Sequence, residues 1–118
     1  MDYKDEIIDH YKHPRNFGTI EEADVSIKEG NASCGDMIEV SAKLKNSKIQ
    51  ELKWRGIGCA ISTAAASMLS EMVVGKTKED LEKFGEKGIL EMLGGEINAG
   101  RIKCATLSYK AMLKVFEK

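Results

Sequence analysis

No apolar run in this sequence is long enough to span a bilayer. The longest, around residues 57–68, is broken by Ser62, Thr63 and Ser67, whereas a membrane helix needs about 20 consecutive apolar residues. The first residues, Met1-Asp2-Tyr3-Lys4-Asp5-Glu6, are charged and offer no apolar leader core. A secretory signal is therefore not expected, and the cytoplasm is the default compartment. Charge of one sign is also missing. Lys and Arg number 18 against 19 Asp and Glu, for a net charge of −1, so no broad positive field invites nucleic acid. There is no internal repeat, low-complexity tract or linker. Paired C-x-x-C knuckles are absent too. The three cysteines are an odd number, so they cannot all close disulfides, and in a reducing compartment thiols stay free for metal or chemistry.

What is present fits one globular domain over residues 1–118, with 42% hydrophobic and 31% charged residues, enough for a single core. Tyr3, Ile7, Ile8 and Tyr11 recur at helical spacing, with Asp2 as N-cap and Pro14 closing the segment. His10 and His13 fall near that helix's C-terminus, where an imidazolium is favourable, and residues 13–18 read as an irregular connector. Val25 and Ile27 alternate with polar neighbours. Ile38, Val40, Ala42 and Leu44 do so more clearly, Asn46-Ser47 makes a turn, and Leu52 and Trp54 share a face of a third strand. Short connections between successive strands predict an antiparallel meander. The remainder is helical: residues 60–74, with Gly75 as its stop; a short helix opened by a Thr77–Asp80 capping box; another at 86–93; a loop at 96–100; and a last helix at 101–116. The fold class is therefore α+β, a three-stranded antiparallel sheet with helices packed on it.

Each cysteine lies at an element end: Cys34 between the first two strands, Cys59 where the third strand gives way to the long helix, and Cys104 at the start of the last helix. Such positions let the backbone wrap a ligand and let water reach it. A helix N-terminus favours thiolate at Cys59 and Cys104, and Arg101 and Lys103 add positive charge beside the latter. With the chain extended at Cys34-Gly35-Asp36, thiol and carboxylate would project to the same side. Cys34, Asp36, Cys59 and Cys104 would then form a four-ligand set for zinc or an iron–sulfur unit. The alternative is that each cysteine is a small buried hydrophobe. The wide spacing leaves both readings open.

Four segments bear a family likeness. Tyr11-Lys12-His13-Pro14-Arg15-Asn16-Phe17-Gly18 is similar to a helix exit of the form Y-x-x-P-R-N-x-G. Asn31-Ala32-Ser33-Cys34-Gly35-Asp36 is similar to N-P-x-C-G-D, with Ala32 where proline is usual. Gly58-Cys59-Ala60, followed by Ser62, Ala65 and Ser67, resembles G-C-x-A-x-x-A-S-S, and Arg101-Ile102-Lys103-Cys104 stands at the third cysteine. Together they resemble the U-type iron–sulfur cluster assembly scaffolds (IscU and the N-terminal domain of NifU) over essentially the whole chain. The resemblance implies a SufE/NifU-like fold and a scaffold rather than an enzyme. It implies assembly of [2Fe–2S] or [4Fe–4S] clusters from iron and from sulfur given by a cysteine desulfurase, and delivery to apo-proteins. An iron donor is a further implied partner, and monomer and homodimer stay open. Cys34, Asp36, Cys59 and Cys104 are the implied ligands, with Cys104 the sulfur acceptor. Exposed apolar residues of helix one, Tyr3 and Ile7, are the implied desulfurase contact.

Two departures matter. Lys103 stands where many IscU proteins have a histidine, and an ammonium has no lone pair for metal, which leaves Asp36 as the fourth ligand. The L-P-P-V-K motif read by a dedicated Hsp70 chaperone is missing, which argues against that partner. Arg101-Ile102-Lys103-Cys104-Ala105-Thr106-Leu107 also resembles the SufU branch, whose members bind zinc and accept sulfur. SufU proteins usually carry an insertion between the second and third cysteines that this chain lacks. A zinc-dependent sulfur acceptor is therefore the second expectation.

Overall fold

Alternating apolar residues build the sheet that everything else covers. The structure, a computed structural model, describes residues 5–31, 35–94, 97 and 101–117. β1 (Val25–Asn31), β2 (Asp36–Lys45) and β3 (Lys48–Ile57) pair antiparallel in the order β1-β2-β3. Ile27 lies opposite Val40, which lies opposite Trp54, and Ala42 lies between Val25 and Leu52. All six are buried on one face, as the two-residue period requires. Asn46 and Ser47 both take left-handed backbone, with φ of 54° and 65°, the conformation demanded by a two-residue hairpin turn. A register shift at Lys43/Leu44 resets the alternation, so Ile49 is buried with Leu52 and Trp54 although out of phase with them. At the other end of β2 the core-facing series runs Ala42, Val40, Ile38 and then Asp36. A carboxylate therefore stands where the pattern calls for an apolar side chain.

Four helices complete the order: α1 (Asp5–Lys12), α2 (Ala60–Met72), α3 (Lys78–Met92) and α4 (Ile102–Lys114), with a 3-10 turn at Val115–Glu117. α4 packs on β1 and β2, α2 packs on β3 and α4, α1 rests on α2, and α3 on α4. Ala64, Ala65 and Ala66 are buried in α2, and their small side chains let it lie close to its neighbours. The capping box at α3 is present: Asp80 N–H donates to Thr77 Oγ1 at 3.2 Å and Thr77 N–H to Asp80 Oδ2 at 3.0 Å. Those bonds hold the Asp80 carboxyl below its usual range. Gly85, at φ 60° and ψ −178°, breaks α3 in the middle, consistent with two short helices there. No helix among the described residues is long and apolar enough to cross a membrane.

One expectation about α1 is corrected. Ile7 is only 2% exposed and belongs to the core, because α1 docks on α2 through that side chain; Ile8 and Tyr11 are its exposed apolar residues at 40% and 48%. An apolar contact on this helix therefore falls to Ile8 and Tyr11. Tyr3 and the expected cap Asp2 lie outside the described residues.

The connector after α1 is more ordered than its sequence suggests. Trp54 N–H donates to Asn16 O at 3.0 Å and Gly18 N–H to Trp54 O at 2.7 Å, so residues 16–18 cover the free edge of β3. Asn16 takes φ 57° to do so. The Trp54 indole N–H donates to Arg15 O at 2.9 Å, and Phe17 meets the indole edge-on at 5.1 Å. On the α2 side, Arg15 N–H donates to the buried Ser67 Oγ at 2.8 Å and Asn16 Nδ2 to Ser70 Oγ at 3.1 Å. His10 Nδ1 shares Ser67 Oγ at 2.6 Å.

His10 is held below its usual pKa, first by burial and then by the Arg15 charge, with Glu71 at 3.7 Å opposing. The unfolded chain therefore takes up this proton more readily than the folded one. Stability from this site is full above the ordinary histidine pKa of about 6.5 and declines as pH falls through and below it. We expect the thermal midpoint of metal-free protein to drop between pH 7.5 and 5.5, and His10→Gln to flatten that drop. An equal slope in the variant would show that His10 is not the group responsible. Asp9 is also lowered, first by its hydrogen bond from Arg15. Both Asp9 and Asp80 are held below the ordinary aspartate range, so they leave this window clear.

Candidate metal centre

Three elements begin at one end of the sheet, and each brings a ligand-type side chain. Asp36 opens β2 on the core face. Cys59 is the N-cap of α2, one glycine beyond β3. Cys104 lies in the first turn of α4. A carboxylate oxygen and the two sulfurs all lie within 4.8 Å of one another. Two thiolates 2.3 Å from one tetrahedral ion stand about 3.8 Å apart, so small side-chain rotations would close this set onto a cation.

The polar accounting points the same way. Asp36 is 5% exposed, and its Oδ2 is buried with no hydrogen-bond partner among the described residues. A carboxylate oxygen left so is costly unless a cation or donor meets it. Ser62 N–H donates to Cys59 Sγ at 3.5 Å in the first turn of α2. Gly58 is required by space: a Cβ there would stand 2.6 Å from Ser62 Oγ and 3.1 Å from Asp36 Oδ1. The donor set of soft sulfur with one hard oxygen suits zinc or iron.

The site differs from expectation in two respects. Gly35 has φ 72°, a left-handed turn, so the extended backbone assumed for Cys34-Gly35-Asp36 does not hold. Asp36 is aimed inward by strand pairing instead, with Asn31 opposite it. Cys34 itself lies outside the described residues, as do residues 96 and 98–100 of the expected loop. Cys104 is also more enclosed than a water-accessible helix end should be, at 2% exposure, while Cys59 is half-buried. α4 is sandwiched between the sheet and the other helices, and its first turn is packed with the rest. Ser62 was not singled out as a site residue from the sequence. Its signal is the spacing, three residues after the capping cysteine, where a backbone N–H meets the cap side chain.

Comparison with known proteins identifies the family. A family model described as the NifU-like N terminal domain matches residues 2–118. The chain is 37% identical over 110 residues to iron–sulfur cluster assembly scaffold protein IscU 1 of Archaeoglobus fulgidus, covering 93% of this chain and 71% of that protein. It is 36% identical over 129 residues to zinc-dependent sulfurtransferase SufU of Bacillus subtilis, covering 95% and 87%. In fold alone it matches the N-terminal part of a NifU-like protein from Brucella abortus, with a TM-score of 0.81 at 17% identity over 97% and 91% of the two chains. The family match runs the length of the sequence, and the chain belongs to the NifU-like N-terminal domain family of U-type iron–sulfur cluster assembly scaffolds.

Proposed function

We propose that this protein is a scaffold on which iron–sulfur clusters are assembled from iron and desulfurase-derived sulfur before delivery to apo-proteins. The observation that carries this reading is the convergence of Asp36, Cys59 and Cys104, with the Asp36 Oδ2 otherwise unpartnered. Cys34, adjoining Asp36 through Gly35, completes a three-thiolate, one-carboxylate set. Cys104 is the sulfur acceptor. Its thiolate attacks the outer sulfur of a donor persulfide, that S–S bond breaks, and the donor leaves as thiolate. Two further electrons from a separate donor take the sulfane sulfur to sulfide.

The mixed ligand set suits transient holding. Clusters kept for electron transfer usually have four cysteines, and a carboxylate oxygen is a harder donor than a thiolate. Asp36→Ala is expected to lengthen the lifetime of the bound cluster severalfold in transfer to an apo-acceptor. Faster loss from the variant would overturn this role for Asp36.

The same residues fit a second reading, a zinc-bound sulfur acceptor that activates a desulfurase, favoured by the similarity to SufU and by Lys103 before the third cysteine. Metal and acid-labile sulfide analysis of protein purified without oxygen separates the two. Iron with sulfide supports the scaffold, and zinc without sulfide supports the sulfur acceptor. Neither metal at more than trace occupancy would overturn both.

A further inference from the structure

The exposed residues of α4 are all lysines: Lys103, Lys110 and Lys114. The rest of the helix is buried or half-buried, and the chain carries a net charge of −1, so this basic face is a local feature. Together with Leu107 the lysines recur at helical spacing and share one side of α4. Lys114 Nζ reaches Glu29 Oε1 at 2.7 Å, which sets that side beside the end of β1. No described carboxylate forms an ion pair with Lys103 or Lys110. A cleft of about 280 Å³ lies between them and β1, lined by Glu29, Gly30, Asn31, Lys103, Leu107 and Lys110. The strand beside it is a sheet edge. The opposite edge, on β3, is covered by residues 16–18, but no described residue hydrogen-bonds to the outer edge of Val25–Gly30. Such an edge offers N–H and C=O groups that another extended backbone can match.

We propose that β1 and α4 form a docking strip for an extended acidic segment of a partner protein, which adds a strand to β1 and sets its carboxylates against Lys103 and Lys110. The edge calls for a backbone and the lysines call for acid, so one occupant meets both demands. Lys103 and Lys110 stand about 10 Å apart along the helix axis, and same-face residues of a strand repeat about every 6.7 Å. An acidic residue at every second position therefore keeps a carboxylate within reach of each lysine. A second copy of this chain fits poorly, because joining two β1 edges about a two-fold axis would bring two lysine faces together. A bilayer fits poorly as well, since Leu107, the apolar member of the lining, is only 5% exposed and has nothing to insert. The strip does not depend on the metal centre. Lys103 nevertheless adjoins Cys104, so a docked partner is held beside that thiol.

The test uses the whole chain and a fluorescein-labelled heptapeptide of alternating Glu and Val, read by anisotropy. Saturable binding that weakens as salt is raised is expected. Lys103→Glu with Lys110→Glu should weaken it by about tenfold or more, through two lost and two reversed charge pairs, and the neutral Lys103→Gln with Lys110→Gln should fall between. Lys45→Glu, exposed at the far end of β2, should change it by less than about twofold. Two further peptides carry N-methyl groups on one or the other alternate set of residues. A strand pairs through alternate amides on each edge, so one peptide should lose binding and the other keep it. Thermal midpoints of the variants serve as the folding control. No saturable binding, or lysine variants that behave like Lys45→Glu, overturns the strip. Equal behaviour of the two methylated peptides overturns strand addition. Oligothymidylate or anionic phosphatidylserine vesicles that bind more tightly than the peptide, and lose binding in the same lysine variants, would assign the face to nucleic acid or membrane and overturn the proposal.

Discussion

Cys59→Ser is expected to abolish tight metal binding and leave the fold intact. The sulfur of Cys59 does two jobs that serine separates. As N-cap of α2 it accepts Ser62 N–H, and serine is among the preferred residues for that position, which cysteine is not. As the ligand proposed above it would supply a soft donor that a neutral hydroxyl cannot replace. Loss of a neighbour that merely orients a ligand costs 10- to 100-fold in metal affinity, so loss of a ligand should exceed about 100-fold, or more than about 2.7 kcal/mol. The metal-free variant should melt no lower than the parent, and the better cap is worth about 0.5–1 kcal/mol in its favour. Zinc titration and thermal unfolding of the same samples check both halves. Retention of parent-like affinity would remove Cys59 from the centre. A lower midpoint without metal would mean that its packing matters more than its sulfur.

Trp54→Ala should bring the domain close to unfolding. Trp54 is 2% exposed and sits at the centre of the core face of β3. Removing a buried aromatic side chain costs about 3–5 kcal/mol, against a total stability of about 5–15 kcal/mol for an ordinary domain. Phe17 also loses its edge-on partner, worth about 0.5–1.5 kcal/mol. The carbonyl of Arg15 keeps a hydroxyl within reach, Ser70 Oγ at 3.2 Å, which divides its one proton between this carbonyl and Ser67 O at 2.6 Å. The loss is therefore mostly a cavity, and Trp54→Phe, which keeps most of the volume, should cost far less. Urea unfolding followed by circular dichroism measures this, since the only tryptophan of the chain is the one removed. A loss under about 1.5 kcal/mol, well below the aromatic-to-alanine range, would mean that the neighbours close over the gap and that the connector holds to β3 by its backbone bonds alone.

The sheet was legible because strands report their buried face every second residue, and Ile38, Val40, Ala42 and Trp54 lie where that period puts them. The capping box at Thr77 and the break between the two halves of α3 were legible because both are local. The apolar stripe of α1 is visible in the sequence, but not which side of it another helix covers, and α2 covers Ile7. The backbone at Gly35 was misjudged because its left-handed turn, unlike the alternation on either side, leaves no periodic trace. The bonds from Arg15 and Asn16 to Ser67 and Ser70 join residues more than 50 positions apart, and no window along the chain contains both partners. Positions at element ends leave the clustering of Asp36, Cys59 and Cys104 open; the family resemblance implies it, and the three side chains do lie together.

Asp36, Cys59 and Cys104 each begin a different element, so an ion held among them pins β2, α2 and α4 at one corner. Anything that binds the native form and not the unfolded chain adds to its stability, by about 4 kcal/mol at a thousand times the dissociation constant. The cargo is thereby a fastener for its own carrier. Unloaded molecules should be cut by protease sooner than loaded ones, and the cell's population of this protein would track how much of it is filled.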